Sequence, residues 1–185
     1  ILARLGHRVT AADLSPGMIG RLRAKAAAAR LPVEVVETAA DTPPPGPLDA
    51  VVERHLVWTL PDPREALSTW RGVAPGGRLV LLESLWGSAA DLPERLRVRG
   101  RRTLHRLRRD PPAHHDEYDP AVQAGLPLGT GTPPGELVEL AEAAGWSAVR
   151  LRRLRDVEWA ARCGLPPLDR LFGVTPRFAV AADDR

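Results

Sequence analysis

Hydrophobic and polar positions along the first half of the chain change period in a regular order. His7-Arg8-Val9-Thr10-Ala11-Ala12-Asp13 is a short β-prone run, and Ser15-Pro16 behind it supplies a helix N-cap followed by proline at N1. The helix opened there carries Met18, Ile19, Leu22 and the alanines to Ala29, with arginines on the other face, and stops near Arg30-Leu31-Pro32. Val33-Glu34-Val35-Val36 reads as a second strand. The prolines between Pro43 and Pro47 then force a loop, because proline lacks the N–H that a helix or sheet needs. Leu48-Asp49-Ala50-Val51-Val52-Glu53 is a buried strand, Pro63 to Val73 a helix halted by Pro75-Gly76-Gly77, and Arg78-Leu79-Val80-Leu81-Leu82-Glu83 the next strand.

The second half is less regular. Residues 91–109 have helical character with Leu92, Leu96, Leu104 and Leu107 on one side, and 110–134 are rich in proline and glycine and read as irregular. A helix returns over 134–145 with Leu137, Leu140 and Ala141, and the runs 148–152 and 177–181 supply two late strands. Strands spaced by helices in this order imply right-handed crossovers. The expected class is α/β, a doubly wound and mostly parallel sheet with helices on both faces, in a single domain over 1–185.

Composition narrows the function more than it defines it. A chain of 185 residues buries one substantial core. No run of eighteen apolar residues is present, so no membrane partner is expected. The single cysteine, Cys163, cannot form an internal disulfide, and a reducing cytoplasm fits best. Lys+Arg 26 against Asp+Glu 23 leaves only +3, and aromatics are 4%, which argues against a nucleic-acid partner. The arginines Arg95, Arg97, Arg99, Arg101, Arg102, Arg106, Arg108 and Arg109 surround their helix evenly and read as a solvated face.

In a doubly wound sheet, ligands sit beyond the carboxyl ends of the strands, where an acidic residue accepts hydrogen bonds from ribose hydroxyls. Asp13 stands in that position, which is also a natural one for a helix N-terminal acid. The ordered set Val9 to Met18, Leu48-Asp49-Ala50-Val51-Val52, Asp62-Pro63 and Ala74-Pro75-Gly76-Gly77-Arg78-Leu79-Val80 resembles the class I S-adenosylmethionine-dependent methyltransferases. The resemblance covers roughly the first 85 residues, and more loosely the last helix and strands. It implies a cosubstrate-binding part over 1–85, acceptor-side helices, loop and strands over 86–185, and S-adenosylmethionine as cosubstrate. Asp13 would bind its ribose, Leu14 and Met18 would pack on the adenine, and backbone around Glu53 would lie near its amino acid end. The family's third-strand Gly-Asp-Ala is Glu37-Thr38-Ala39 here, so Thr38 and Ala39 take the adenine-side positions with a hydroxyl in place of an acid. The glycine-rich loop after the family's first strand has no counterpart. Ile1 to Gly6 matches the end of the helix that follows it, and the sequence is expected to lack roughly 40 to 60 residues at its N-terminus, first strand included.

His55, Trp58 and Trp86 follow predicted strands and would face a small-molecule acceptor, with an O, N or C atom receiving the methyl group. A histidine titrates near neutrality, so His55 is the candidate base, although a helix-start residue bonded to a neighbouring carbonyl is the more ordinary reading. His114-His115-Asp116-Glu117 lacks metal-ligand spacing, and no metal is expected. Two alternatives stay open. A nicotinamide-dependent reductase is opposed by the single Tyr118 with no lysine near it, whereas a non-catalytic remnant or binding module of the same fold is not opposed by any residue.

Overall fold

The computed structural model describes residues 1–85, 92–108 and 120–184. The chain opens on a 3-10 turn, Leu2–Leu5, closed by Gly6 in the left-handed region at φ 91°, the helix end that the glycine foreshadowed. β1 (Val9–Asp13) and β2 (Val33–Glu37) pair in parallel, Asp13 opposite Glu37, with α1 (Pro16–Ala28) crossing between them. Ser15 caps α1 as its sequence implied, its Oγ accepting from Met18 N at 3.4 Å. Packing in this unit is thin, since Ile19 is the one buried residue of α1 and none of β1 or β2 is fully buried.

The larger sheet holds β3 (Ala50–Arg54), β4 (Arg78–Ser84), β5 (Ser147–Arg153) and β6 (Arg177–Asp183) in the order β3-β4-β6-β5. β3 and β4 are parallel, joined through α2 (Pro63–Val73), while β6 runs antiparallel to both β4 and β5. The expected α/β alternation therefore stands, but the sheet is in two pieces and the larger piece is mixed. Alternation of apolar residues in 177–181 fixes which face is buried and says nothing about strand direction.

A two-residue period and the register together assemble one buried face. Val51 pairs with Leu79 and Glu53 with Leu81, and across the other edge of β4 Leu79 meets Ala182, Leu81 meets Val180 and Glu83 meets Phe178. Leu79, Leu81, Phe178, Val180 and Ala182 are all buried under α2 and α5 (Pro134–Ala143), which supply Leu67, Trp70, Leu137 and Ala141. Trp146 donates its indole N–H to Leu67 O at 2.9 Å, so even the ring nitrogen in this layer is satisfied. The opposite face is less covered, with Val52 exposed and Val80 and Leu82 half-buried.

Three connections fix the edges. Asp183 receives Arg78 Nε at 2.9 Å and Arg150 Nη2 at 3.3 Å, tying β6 to both neighbours. Leu48 N donates to Val73 O at 2.8 Å, which brings the proline loop against the end of α2. At Gly46 a side chain would run into that same Val73 carbonyl, so the close approach requires glycine.

The second half departs from its sequence reading in two respects. α3 (Leu92–Arg108) forms as expected, but Leu92, Leu96 and Leu107 are exposed and do not reach the core. Leu96 and Leu107 border an open groove of about 530 Å³ between α3 and Phe172, where Gly100 comes against the phenyl ring. Three helices fall where none was read: α4 (Pro120–Ala124), α6 (Arg155–Cys163) and α7 (Pro167–Leu171). All are short, and α7 begins at a proline that marks a helix start as readily as a break.

Removing a side chain from the buried row should be costly. Leu79→Ala is expected to lower unfolding free energy by about 2–5 kcal/mol in urea titration, against less than about 0.5 kcal/mol for Leu151→Ala on the half-exposed β5.

Candidate functional site

Residues at the carboxyl ends of the strands fall into two groups. The first gathers at β1 and β2. Asp13 is half-buried and its Oδ1 accepts from Ser15 N at 2.8 Å, while among the described residues Oδ2 carries no bond. Thr38 N donates to Asp13 O at 3.2 Å, so Thr38 and Asp13 are brought side by side. The Thr38 hydroxyl donates to Thr42 O at 2.6 Å, which leaves its lone pairs as acceptors and its proton spent on the loop. Leu14 is 69% exposed and Met18 50%, two apolar side chains left uncovered beside a carboxylate. The loop after β2 is held from the larger sheet by Trp70, whose Nε1 donates to Ala40 O at 2.6 Å.

The second group forms where β3 and β4 end. Positions 51, 53 and 55 lie on one side of β3, as 79, 81 and 83 do on β4, and the ladder continues past β3 through His55 N donating to Leu82 O at 3.1 Å. Glu53 and Glu83 consequently share the buried face, 6% and 2% exposed. Glu53 turns inward, Oε2 accepting from Leu56 N at 2.9 Å and Oε1 from Leu82 N at 3.0 Å. Its carboxylate is thus unavailable to a ligand, and only the backbone around it remains for the role implied by sequence. Burial, and then the neighbouring Glu83 charge, push Glu53 from 4.5 up to about 8, with the N–H groups of Leu56, Leu82 and Val57 offsetting only part.

Glu83 has a different set of partners. His55 Nδ1 lies 3.1 Å from its Oε2, and among the described residues Oε1 has no partner. The imidazole is 36% exposed while the Glu83 side chain is fully buried, so one edge of the ring is anchored and the other is open. His55 also has φ 57°, a left-handed conformation that a residue with a side chain rarely adopts. The alternative reading of His55, bonded to a neighbouring carbonyl, is corrected by this geometry because its ring meets a carboxylate.

The remaining candidates separate from these groups. Trp58 packs in the core at 9% exposure with Val57 and Leu60, so its indole is mostly withdrawn from an acceptor. Trp86 and His114 to Glu117 lie outside the described residues. No cluster of three metal-binding side chains occurs among the described residues. None of their helices is long and apolar enough to cross a membrane. Glu83 went unread in the sequence, although an acid in the row Leu79, Leu81, Glu83 was its signal.

Comparison with known proteins bears on both groups. The family described as methyltransferase domain matches residues 1–81. No curated protein sequence matches the chain. Among solved structures, the S-adenosylmethionine-dependent methyltransferase SibL aligns at 21% identity and TM-score 0.61, over 98% of this chain and 45% of its own. Geranyl diphosphate C-methyltransferase from Streptomyces coelicolor aligns at 15% and 0.60, over 100% and 65%. The fold is that of the class I methyltransferases. The chain spans less than half of the length of SibL and about two thirds of the Streptomyces enzyme. The methyltransferase fold also serves the [4+2]-cyclase SpnF, which aligns at 15% identity and 0.58 over 98% and 68%, so architecture alone does not fix the reaction.

The buried Glu53 proton makes stability depend on pH. Between 4.5 and about 8 the folded chain keeps a proton that the unfolded chain releases. The folded state should lose on the order of 1.4 kcal/mol per pH unit across that interval, and the curve should level above it. Glu53→Gln keeps an acceptor oxygen for one of the two N–H groups and cannot ionise. Its melting temperature, followed from pH 5 to 9 beside wild type, is expected to fall less steeply.

Proposed function

We propose that the chain takes part in S-adenosylmethionine-dependent methyl transfer to a small-molecule O, N or C acceptor. The observation that carries this reading is the Asp13 group. A carboxylate with one free oxygen, at the end of a parallel strand, is followed in the next five residues by two uncovered apolar side chains. That arrangement fits the adenosine half of the cosubstrate, with Asp13 accepting from ribose hydroxyls and Leu14 and Met18 desolvating the flat ring. Thr38, next to Asp13, keeps acceptor capacity toward the adenine amino group, and Ala39 is small enough to let the ring approach.

S-adenosylmethionine would supply an electrophilic methyl group on a sulfonium with a good leaving group. The protein is then left with positioning and with handling a proton when the acceptor carries one. His55 is the base in this reading, its ring half-exposed at the end of β3. Trp58 and Trp86 stand on the acceptor side, Trp58 as a wall seated in the core.

Calorimetric titration with S-adenosylhomocysteine tests the cosubstrate site. Asp13→Ala should weaken binding about 10- to 100-fold, the loss of hydrogen bonds to a charged group at about 1.5–3 kcal/mol. Its melt should shift only by the loss of the Ser15 N–H bond. No binding of S-adenosylhomocysteine by this chain or by one extended at its N-terminus with the glycine-rich loop would favour a binding module of the same fold.

A further inference from the structure

Two costly features converge on one contact. Glu83 occupies a row whose other members on β4, Leu79 and Leu81, are leucines, and a leucine would satisfy packing there without a desolvated charge. Instead a carboxylate is buried with one oxygen unbonded among the described residues. Its sole charge partner among them is His55, at 3.1 Å. The histidine meanwhile holds φ 57°, a conformation that costs about 1–3 kcal/mol for a residue other than glycine. Burying a carboxylate and straining a backbone both oppose folding. Together they hold one nitrogen of an imidazole from inside while the ring stays 36% exposed.

We propose that Glu83 is a positioning residue that accepts the Nδ1–H of His55, leaving Nε2 unprotonated and facing the acceptor, so that the site takes a protic O–H or N–H nucleophile. This rests on the methyl-transfer reading and narrows its acceptor class. A neutral imidazole has one N–H, and a carboxylate at 3.1 Å from Nδ1 draws it to that nitrogen. As the acceptor heteroatom forms its bond to the methyl carbon, the carbon–sulfur bond breaks with its electron pair staying on sulfur. The acceptor's proton passes to Nε2. The resulting imidazolium faces the Glu83 carboxylate, which stabilises it as a hydrogen-bonded ion pair. A carbon acceptor would instead release its C–H proton only after the methyl group is attached, whereas an O–H or N–H acceptor offers its proton to Nε2 from the start.

The tautomer is measurable without any acceptor. Long-range proton–nitrogen correlation spectra of the ¹⁵N-labelled chain distinguish a protonated from an unprotonated ring nitrogen, and His55→Asn identifies the His55 signals among the five histidines. The neutral ring of wild type should carry its proton predominantly on Nδ1. Glu83→Leu extends the leucine row, should melt no lower than wild type, and should return the proton predominantly to Nε2. Glu83→Gln, which keeps an oxygen acceptor and the volume, should retain Nδ1–H. An Nε2–H ring in wild type, or a tautomer indifferent to Glu83→Leu, would overturn the proposal. So would a Glu83→Leu chain that unfolds while Glu83→Gln folds with Nε2–H. S-adenosylhomocysteine titration of this chain and of one extended at its N-terminus with the glycine-rich loop separates the two failures: binding with the wrong tautomer sinks the Glu83 role alone, whereas the right tautomer with no binding by either chain sinks methyl transfer and the acceptor assignment with it.

Discussion

Parallel register between β3 and β4 is the constraint on which the rest depends. With Val51 opposite Leu79 and Glu53 opposite Leu81, a period of two leaves no choice about which side chains share the covered face. A slip by one residue would bring Val52 and Arg54 beneath α2 and carry the leucines of β4 out of register with them. The same geometry that builds the apolar layer therefore delivers two acids to its end. Burial, and then their proximity, raises Glu53, and Glu83 is left to the histidine that follows β3. Core and site are one continuous surface here, apolar at one end and ionisable at the other.

Much of this was legible in the chain because local signals agreed with the final packing. Ser15-Pro16 and Asp62-Pro63 both cap helices, Asp62 Oδ1 accepting from Glu65 N at 2.9 Å, and the strands around them lie within two residues of their sequence limits. What could not be read is of a different kind. Whether 177–183 joins its neighbours parallel or antiparallel is settled by the path of the chain through α6 and α7, not by residue type. The leucines of α3 have a helical period and still face an open groove, since periodicity predicts an apolar face without supplying a partner for it.

The candidate site divides along the same line. Asp13, Thr38 and His55 were legible from strand ends, where a doubly wound sheet places ligands. Glu53 was read at the right position, but its carboxylate turned inward, because two N–H groups at the end of β4 and after β3 offered it a better partner than solvent. Glu83 was passed over as the end of a buried strand. Its contact depends on His55 adopting a positive φ, which histidine does more often than most side chains but still too rarely for a sequence to mark the position.

Trp70 has a consequence that reaches beyond packing. Its ring belongs to the layer beneath the larger sheet, yet its N–H grips Ala40, two residues from Thr38 in the loop beside Asp13. Among the described residues no strand pairing joins the smaller sheet to the larger, so such side-chain links carry information between them. A substitution chosen purely to improve the core at this position would also release the loop beside Asp13. Packing beneath the larger sheet and the shape of the smaller unit's strand ends are in that sense inherited together.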